Sequence, residues 1–170
     1  MNRKAAGAVL SLGVVAGTLA GDQLVKKRAR ENWKGREIHL DRHGRVIPAG
    51  SSEKPVCTLR LCENPGMSMN ALSDHPQAVK FLAAGMTGAV AGALAEALVN
   101  SRHPLRKAGL SLVLGGALSN LTDRIRDGAV TDFVNFEVGP KRFRQVVFNL
   151  GDFAILAGAL LCAATVDGGD

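Results

Sequence analysis

The chain has 170 residues, 46% hydrophobic and 21% charged, with a net charge of +6 and an isoelectric point near 9.7. That length suits one domain, and a basic balance calls for an anionic partner; with no Tyr, one Trp and no recognised nucleic-acid motif, anionic lipid headgroups fit better than nucleic acid. Three cysteines without a C-x-x-C argue against a zinc or thioredoxin-like site.

Mean hydropathy is only +0.10, but the average hides a segregation. Four stretches are almost uncharged: Ala5–Gly21, Phe81–Ala95, Ala108–Thr122 and Phe153–Val166. A membrane span needs about 20 mostly apolar residues. The pattern predicts an all-α integral membrane fold in a single domain, residues 1–170, with spans at about 5–25, 78–99, 106–123 and 147–166. Two readings compete. A soluble bundle of Ala-rich helices would show a polar stripe of period 3.6, which these stretches lack. A cleavable signal peptide is suggested by Arg3 and Lys4 before an apolar run and by Thr18-Leu-Ala20 after it. Gly13–Gly17 and Gly88–Gly92 are both G-x-x-x-G, which predicts close helix contact there.

The segment at about 26–77 is charged and not of low complexity. Arg36–Leu40 and Arg45–Pro48 flank a turn at Asp41–Gly44, and Pro55–Glu63 follows; together they predict a small antiparallel sheet on the membrane surface. Asn64-Pro65-Gly66 is a turn, and Met67 and Met69 offer an adaptable apolar surface. Cys57 and Cys62 are free or paired; spacing alone does not fix their separation. Ser101–Lys107 is a short basic loop of cytoplasmic character, yet the segments at 26–77 and Arg124–Arg144 also carry many basic residues. Charge alone therefore leaves the orientation open. Gly128 reads as a helix C-terminal cap.

Two apolar stretches carry Asn-x-x-Asp: Asn120/Asp123 and Asn149/Asp152. A carboxylate in such surroundings is expensive and is by default functional. Three-residue spacing puts each Asn on the face of its Asp. Two such faces meeting would bring two carboxylates together, the arrangement of aspartyl acid–base chemistry. The bland alternative is that each Asp caps a helix or ends a span. Asp123 and Asp127, one turn apart, either hold a cation or form a solvated helix end paired with Arg124 and Arg126. The four histidines fall at unrelated spacings and give no support to Ser-His-Asp catalysis.

Four blocks in order then carry a resemblance: Asp22-Gln23-x-x-Lys26; Asn64-x-Gly66; Gly115-Gly116-x-x-x-Asn120-x-x-Asp123-Arg124-x-x-x-Gly128-x-Val130-x-Asp132-Phe133; and Phe148-Asn149-x-x-Asp152. The chain resembles the lipoprotein signal peptidases, or signal peptidase II. The resemblance implies a four-span aspartyl protease of the bacterial inner membrane with both termini in the cytoplasm. It implies cleavage of signal peptides just before a diacylglyceryl-cysteine, near the extracytoplasmic face. It assigns Asp123 and Asp152 as the catalytic pair, and Asn64, Gly66, Asn120, Asn149 and Arg124 to substrate binding. Asp22, Lys26 and Asp132 become supporting residues. Lys26 and Lys27 are expected near headgroup phosphates. No cofactor or metal is implied; partners are lipid-modified prolipoproteins and membrane phospholipids, and oligomeric state is not fixed.

Three positions depart from the family pattern: Ser119 where Gly is usual, Gly151 where Ala is usual, and Met69 where Phe is usual. They bear on packing and substrate fit rather than on the reaction. The alternative function is a small proton-coupled transporter using Asp123, Asp152 and Glu96. A non-enzymatic scaffold leaves the paired Asn-x-x-Asp patterns without a role.

Overall fold

The computed structural model describes residues 3–66, 74–101 and 103–165; Met67, Met69 and Arg102 lie outside them. Four helices, α1 (Arg3–Asn32), α2 (Pro76–Asn100), α3 (Pro104–Arg126) and α4 (Leu150–Ala163), carry a four-stranded sheet. Proline opens α2 and α3 at the first turn, where its missing N–H costs nothing. Gly128, at φ 80°, follows the end of α3 in the left-handed conformation expected of a cap residue.

Helix α1 runs unbroken past Thr18-Leu-Ala20, and its far half is bonded into the body of the protein through Asp22 and Lys26. That favours a retained helix over a cleaved leader. The helices α1, over Ala5–Asn32, and α2 are long and apolar enough to cross a membrane; α4 is apolar but shorter, at 14 residues. Only 17% of the apolar window in α1 or α2 is buried, so neither is the core helix of a soluble bundle. Large apolar side chains point outward instead: Leu10 is 71% exposed, Phe81 75% and Leu160 63%. The interior is correspondingly polar, with Asp22, Lys26, Ser111, Ser119, Asp123 and Asn149 all fully enclosed.

Helix α3 is the hub, packed on each of the other three. Glycine lets the backbones approach. A Cβ on Gly115 would lie 2.6 Å from Thr18 Cβ of α1, and one on Gly109 2.6 Å from the Gly158 oxygen of α4. A Cβ on Gly116 would collide with the Gly151 carbonyl oxygen. By contrast Gly13, Gly17, Gly88 and Gly92 meet nothing within 4 Å. The two G-x-x-x-G motifs are not the helix contacts; the glycines of α3 and α4 are. A small apolar cluster of Val15, Leu94 and Leu114 joins α1, α2 and α3.

The sheet has the order β1 (Glu37–Leu40), β2 (Cys57–Asn64), β3 (Val130–Phe136), β4 (Val147–Phe148), antiparallel throughout. The first and third predicted extended segments are present. The second, Arg45–Pro48, forms only a bridge between Leu40 and Val46. Its turn is held by Asp41, whose carboxylate accepts from the His43 and Arg45 backbone N–H groups and from Arg45 Nε at 2.8 Å. The Arg45 backbone bond is the main cause of a carboxyl pKa lowered to about 2. Half the sheet, β3 and β4, comes from the segment between α3 and α4, where no strand was expected. The predicted fourth span also began too early, since Val147–Phe148 is strand and α4 starts at Leu150. Phe136, Phe143, Phe148 and Phe153 stack at centroid distances of 5.8–6.2 Å and tie this end of α4 to the sheet.

Gly116→Ala should lower the unfolding midpoint in detergent, because overpacking a close contact costs about 1–3 kcal/mol. Gly13→Ala and Gly88→Ala should leave it unchanged or raise it, since Ala is the better helix former by about 1 kcal/mol. Equal losses at all three positions would contradict the packing described.

Candidate active site

The sheet brings β3 against the start of α4, and two acids meet in one cleft there. Asp132 stands on β3 opposite Cys62 of β2, where a register shift between Leu59 and Cys62 bends the strand. Asp152 stands in the first turn of α4. Asn149 is the N-cap of that helix. Its side chain accepts from Asp152 N at 2.9 Å, while Asp152 Oδ2 accepts from Asn149 N at 3.1 Å. This Asn-x-x-Asp is thus a capping box. The cap reading and the functional reading both hold, because the same Asn149 amide donates to Asp132 Oδ1 at 2.7 Å and to Asn120 Oδ1 at 3.0 Å.

Asn120, from α3, donates to Asp152 Oδ1 at 2.9 Å. Asn64, at the end of β2, donates to Asp132 Oδ2 at 3.2 Å and accepts from Gly66 N at 3.1 Å. Arg124 donates to the Gly66 oxygen at 3.0 Å, pinning that turn over the cleft. The cleft holds about 370 Å³ and is lined by the polar Asn64, Asn120, Arg124, Asp132 and Asp152 and by the apolar Ile155, Leu156 and Ala159 of α4. A second cavity of about 570 Å³ opens from Asn64 and Asp132 toward Arg142 and Gln145. Asp132 therefore lines both cavities.

Asp132 is 3% exposed. Burial, and then the charge of Asp152, push its carboxyl up to about 7 against the opposing bonds from Asn149 and Asn64.

Asp123 lies elsewhere. It is fully buried and does not line the cleft. Its Oδ2 pairs with Lys26 Nζ at 2.9 Å and accepts from Thr131 N at 3.1 Å; its Oδ1 accepts from Gln23 Nε2 at 2.8 Å. The expected pairing of Asp123 with Asp152 in a common cleft gives way to Asp132 with Asp152. The physical reason is that Asp123 has its own buried cation. The same cation, Lys26, pairs with Asp22 at 2.7 Å and donates to Asn120 Oδ1 at 2.8 Å, so its three N–H groups are all used. Lys26 is enclosed and is not placed to meet a headgroup. Asp127 pairs with Arg126 at 2.7 Å and Arg30 at 3.2 Å, and Arg126 also lies 3.9 Å from Asp123, so this end of α3 is a helix end paired with arginine. Cys57 and Cys62 are free thiols.

Two of the departures from the family pattern converge on Asp22. Ser119 Oγ donates to Asp22 Oδ2 at 2.5 Å, and Gly151 N donates to Asp22 Oδ1 at 3.0 Å. A Cβ at Gly151 would lie 3.1 Å from the same carboxylate, so Gly relieves a tight contact there. Met69, the third, lies outside the described residues.

The role of Asp132 was visible in one signal. Val130-Thr-Asp-Phe-Val-Asn-Phe136 is rich in β-branched and aromatic residues, a strand pattern that carries Asp132 into the sheet. Lys26→Met should lower stability by about 3–5 kcal/mol, because it leaves two buried carboxylates without their cation. Thermal unfolding in detergent measures this; a midpoint within error of the parent would refute the network's importance.

The chain's likeness to known proteins agrees with this fold. The signal peptidase (SPase) II family profile matches residues 14–166. The lipoprotein signal peptidase of Rhodopseudomonas palustris (strain ATCC BAA-98 / CGA009) is 34% identical over 149 residues, covering 86% of each chain. That of Nitrobacter hamburgensis (strain DSM 10229 / NCIMB 13809 / X14) is 35% identical over 154 residues, covering 89% of this chain and 88% of its own. A bacterial membrane enzyme solved by the in meso method at 2.3 Å resolution superposes with a TM-score of 0.71 at 19% identity, covering 92% of this chain and 87% of its own. A second, at 1.9 Å resolution, gives 0.70 at 18%, covering 95% and 94%. With the profile spanning nearly the whole chain, this protein belongs to the signal peptidase II family.

Proposed function

We propose that the chain is an aspartic endopeptidase of the bacterial inner membrane that removes signal peptides from diacylglyceryl-cysteine prolipoproteins. In this reading all four helices span the membrane, both termini are cytoplasmic, and the sheet and cleft lie at the extracytoplasmic face. The polar groups of α3, Ser111, Ser119 and Asp123, are buried, so that helix too can meet lipid with an apolar exterior. The acid–base pair is Asp132 and Asp152. The observation that carries this is the shared cleft, in which Asn149 and Asn120 tie the two carboxyl groups into one hydrogen-bond chain.

The chemistry follows from the unequal surroundings of the acids. Asp132 supplies the neutral carboxyl and Asp152 the carboxylate. Water adds to the scissile carbonyl carbon as Asp152 takes one of its protons and Asp132 gives its own to the carbonyl oxygen. On collapse that oxygen returns a proton to Asp132. Asp152 passes its proton to the leaving nitrogen as the C–N bond breaks. Arg124 and the Asn64–Gly66 turn flank the peptide, and the Ile155, Leu156 and Ala159 wall of α4 receives hydrocarbon from the lipidated cysteine.

The transporter reading loses its third acid. Glu96 is half-exposed near the end of α2 and pairs with Arg106 at 3.1 Å, outside the buried cluster. A scaffold has no use for two acids opening into one cleft.

Asp132→Asn and Asp152→Asn should each cut conversion of lipidated precursor in a gel-shift assay by about 10²–10⁴-fold, with unfolding midpoints near the parent's. Asp123→Asn should lower the midpoint, and Asp127→Asn should retain most activity. An active Asp132→Asn enzyme would refute the pair. The rate should also fall as pH rises through about 7, where Asp132 gives up its proton. The sign for stability is the same: a carboxyl raised from 3.8 to about 7 favours folding below 3.8, and that contribution fades up to about 7. A rate still rising well above pH 7 would overturn the assignment of the proton.

A further inference from the structure

A cavity of about 810 Å³, more than twice the volume of the cleft, opens between the far end of α1 and the junction of α3 with β3. Neither Asp132 nor Asp152 lines it. Along α1 its wall runs from Ala20, Gln23 and Leu24 to Lys27 and Arg30, basic at its far end. Arg126 faces them from the end of α3.

The charges do not cancel. Lys27, Arg30 and Arg126 face two acids, Asp127 and Glu63. Asp127 is shared, bonded by Arg126 at 2.7 Å and by Arg30 at 3.2 Å. Lys27 has only a long contact, 3.9 Å to Glu31, and its side chain is 70% exposed. Arg30 is oriented by the Thr131 hydroxyl at 2.6 Å. The wall thus keeps a net single positive charge, with one guanidinium already fixed in place. Beside these cations the wall is apolar at Ala20 and Leu24, the latter 53% exposed.

We propose that this cavity binds a phospholipid, its phosphate held by Lys27, Arg30 and Arg126 and its acyl chains lying along Ala20 and Leu24. The order along α1, hydrocarbon then cation, is the order of a lipid from tail to headgroup. A free phosphate would use the cations and leave the apolar flank idle. The proposal rests on the reading that α1 crosses the membrane, and it is separate from the proteolytic cleft.

The test is native mass spectrometry of the delipidated full chain in detergent, with three probes: phosphatidylglycerol, diacylglycerol of the same acyl chains, and inorganic phosphate. A single phosphatidylglycerol adduct is expected, with no adduct from diacylglycerol or phosphate at the same concentration. Lys27→Ala with Arg126→Ala should weaken that adduct tenfold or more, while precursor cleavage in detergent stays at the parent's rate. Equal binding of diacylglycerol, or of phosphate, would overturn the proposal, as would an undiminished adduct in the double variant. If the double variant does not fold, Lys27→Glu decides alone, because that exposed side chain holds no short contact. Lipid binding by a parent enzyme that cleaves nothing would refute the proposed function and leave this site standing; cleavage without lipid binding would do the reverse.

Discussion

One ammonium group organises this protein. Lys26 Nζ lies within 2.9 Å of Asp22, Asp123 and Asn120, fully enclosed, with no N–H to spare. An unpaired ammonium here would be prohibitive, so the acids must sit where they do. Asp22 in turn accepts from Gly151 N, so the cation holds α1, α3 and the start of α4 together. Its third bond reaches the cleft. With Asn120 Oδ1 occupied by Lys26 and by Asn149, the Asn120 amide can only present its Nδ2 to Asp152. A structural cation thereby sets the orientation of a group that touches a carboxylate of the cleft.

The close helix packing serves the same end. Gly116 against Gly151 draws α3 onto α4 until Asn120 reaches Asp152, and Gly115 against Thr18 draws α3 onto α1 until Asp123 reaches Lys26. In lipid, burial of apolar surface gives helices little reason to associate, so small residues and interior polar bonds must supply it. The chain shows that arrangement: hydrogen-bonded polar groups within, and large apolar side chains such as Leu10 and Phe81 outside. The remaining G-x-x-x-G glycines lie on outer surface, where close approach has no partner in this chain.

Much of this was legible in the sequence. The apolar stretches located the helices to within a few residues, except that α1 runs on to Asn32 and α4 begins after a strand. The sheet was half legible, because turn signals border β1 and β2, whereas β3 and β4 lie in a segment read for its charged residues rather than for strands. The error at the site has the same origin. Asn120/Asp123 and Asn149/Asp152 look like one motif repeated. In space one lies within a helix, where Asn120 goes to the cleft and Asp123 to Lys26, and the other is a capping box at a helix start. Sequence spacing gives the local face of each residue; it does not say which of two acids nine residues apart has a buried lysine beside it.

That lysine also makes the acids around it unequal. Asp22, Asp123, Asp132 and Asp152 lie at different removes from the one ammonium. Asp22 and Asp123 touch Lys26 directly. Asp152 is one amide removed, its donor Asn120 being held by the same ammonium, and it also takes the Asn149 backbone N–H of the cap. Asp132 takes its hydrogen bonds from the neutral amides of Asn149 and Asn64. Burial, and then the charge of Asp152, push its carboxyl up although Arg124 and Lys26 pull the other way. The two carboxyl groups of the cleft thus have unequal surroundings, Asp152 tied through Asn120 to the buried ammonium and Asp132 bonded by the amides of Asn149 and Asn64.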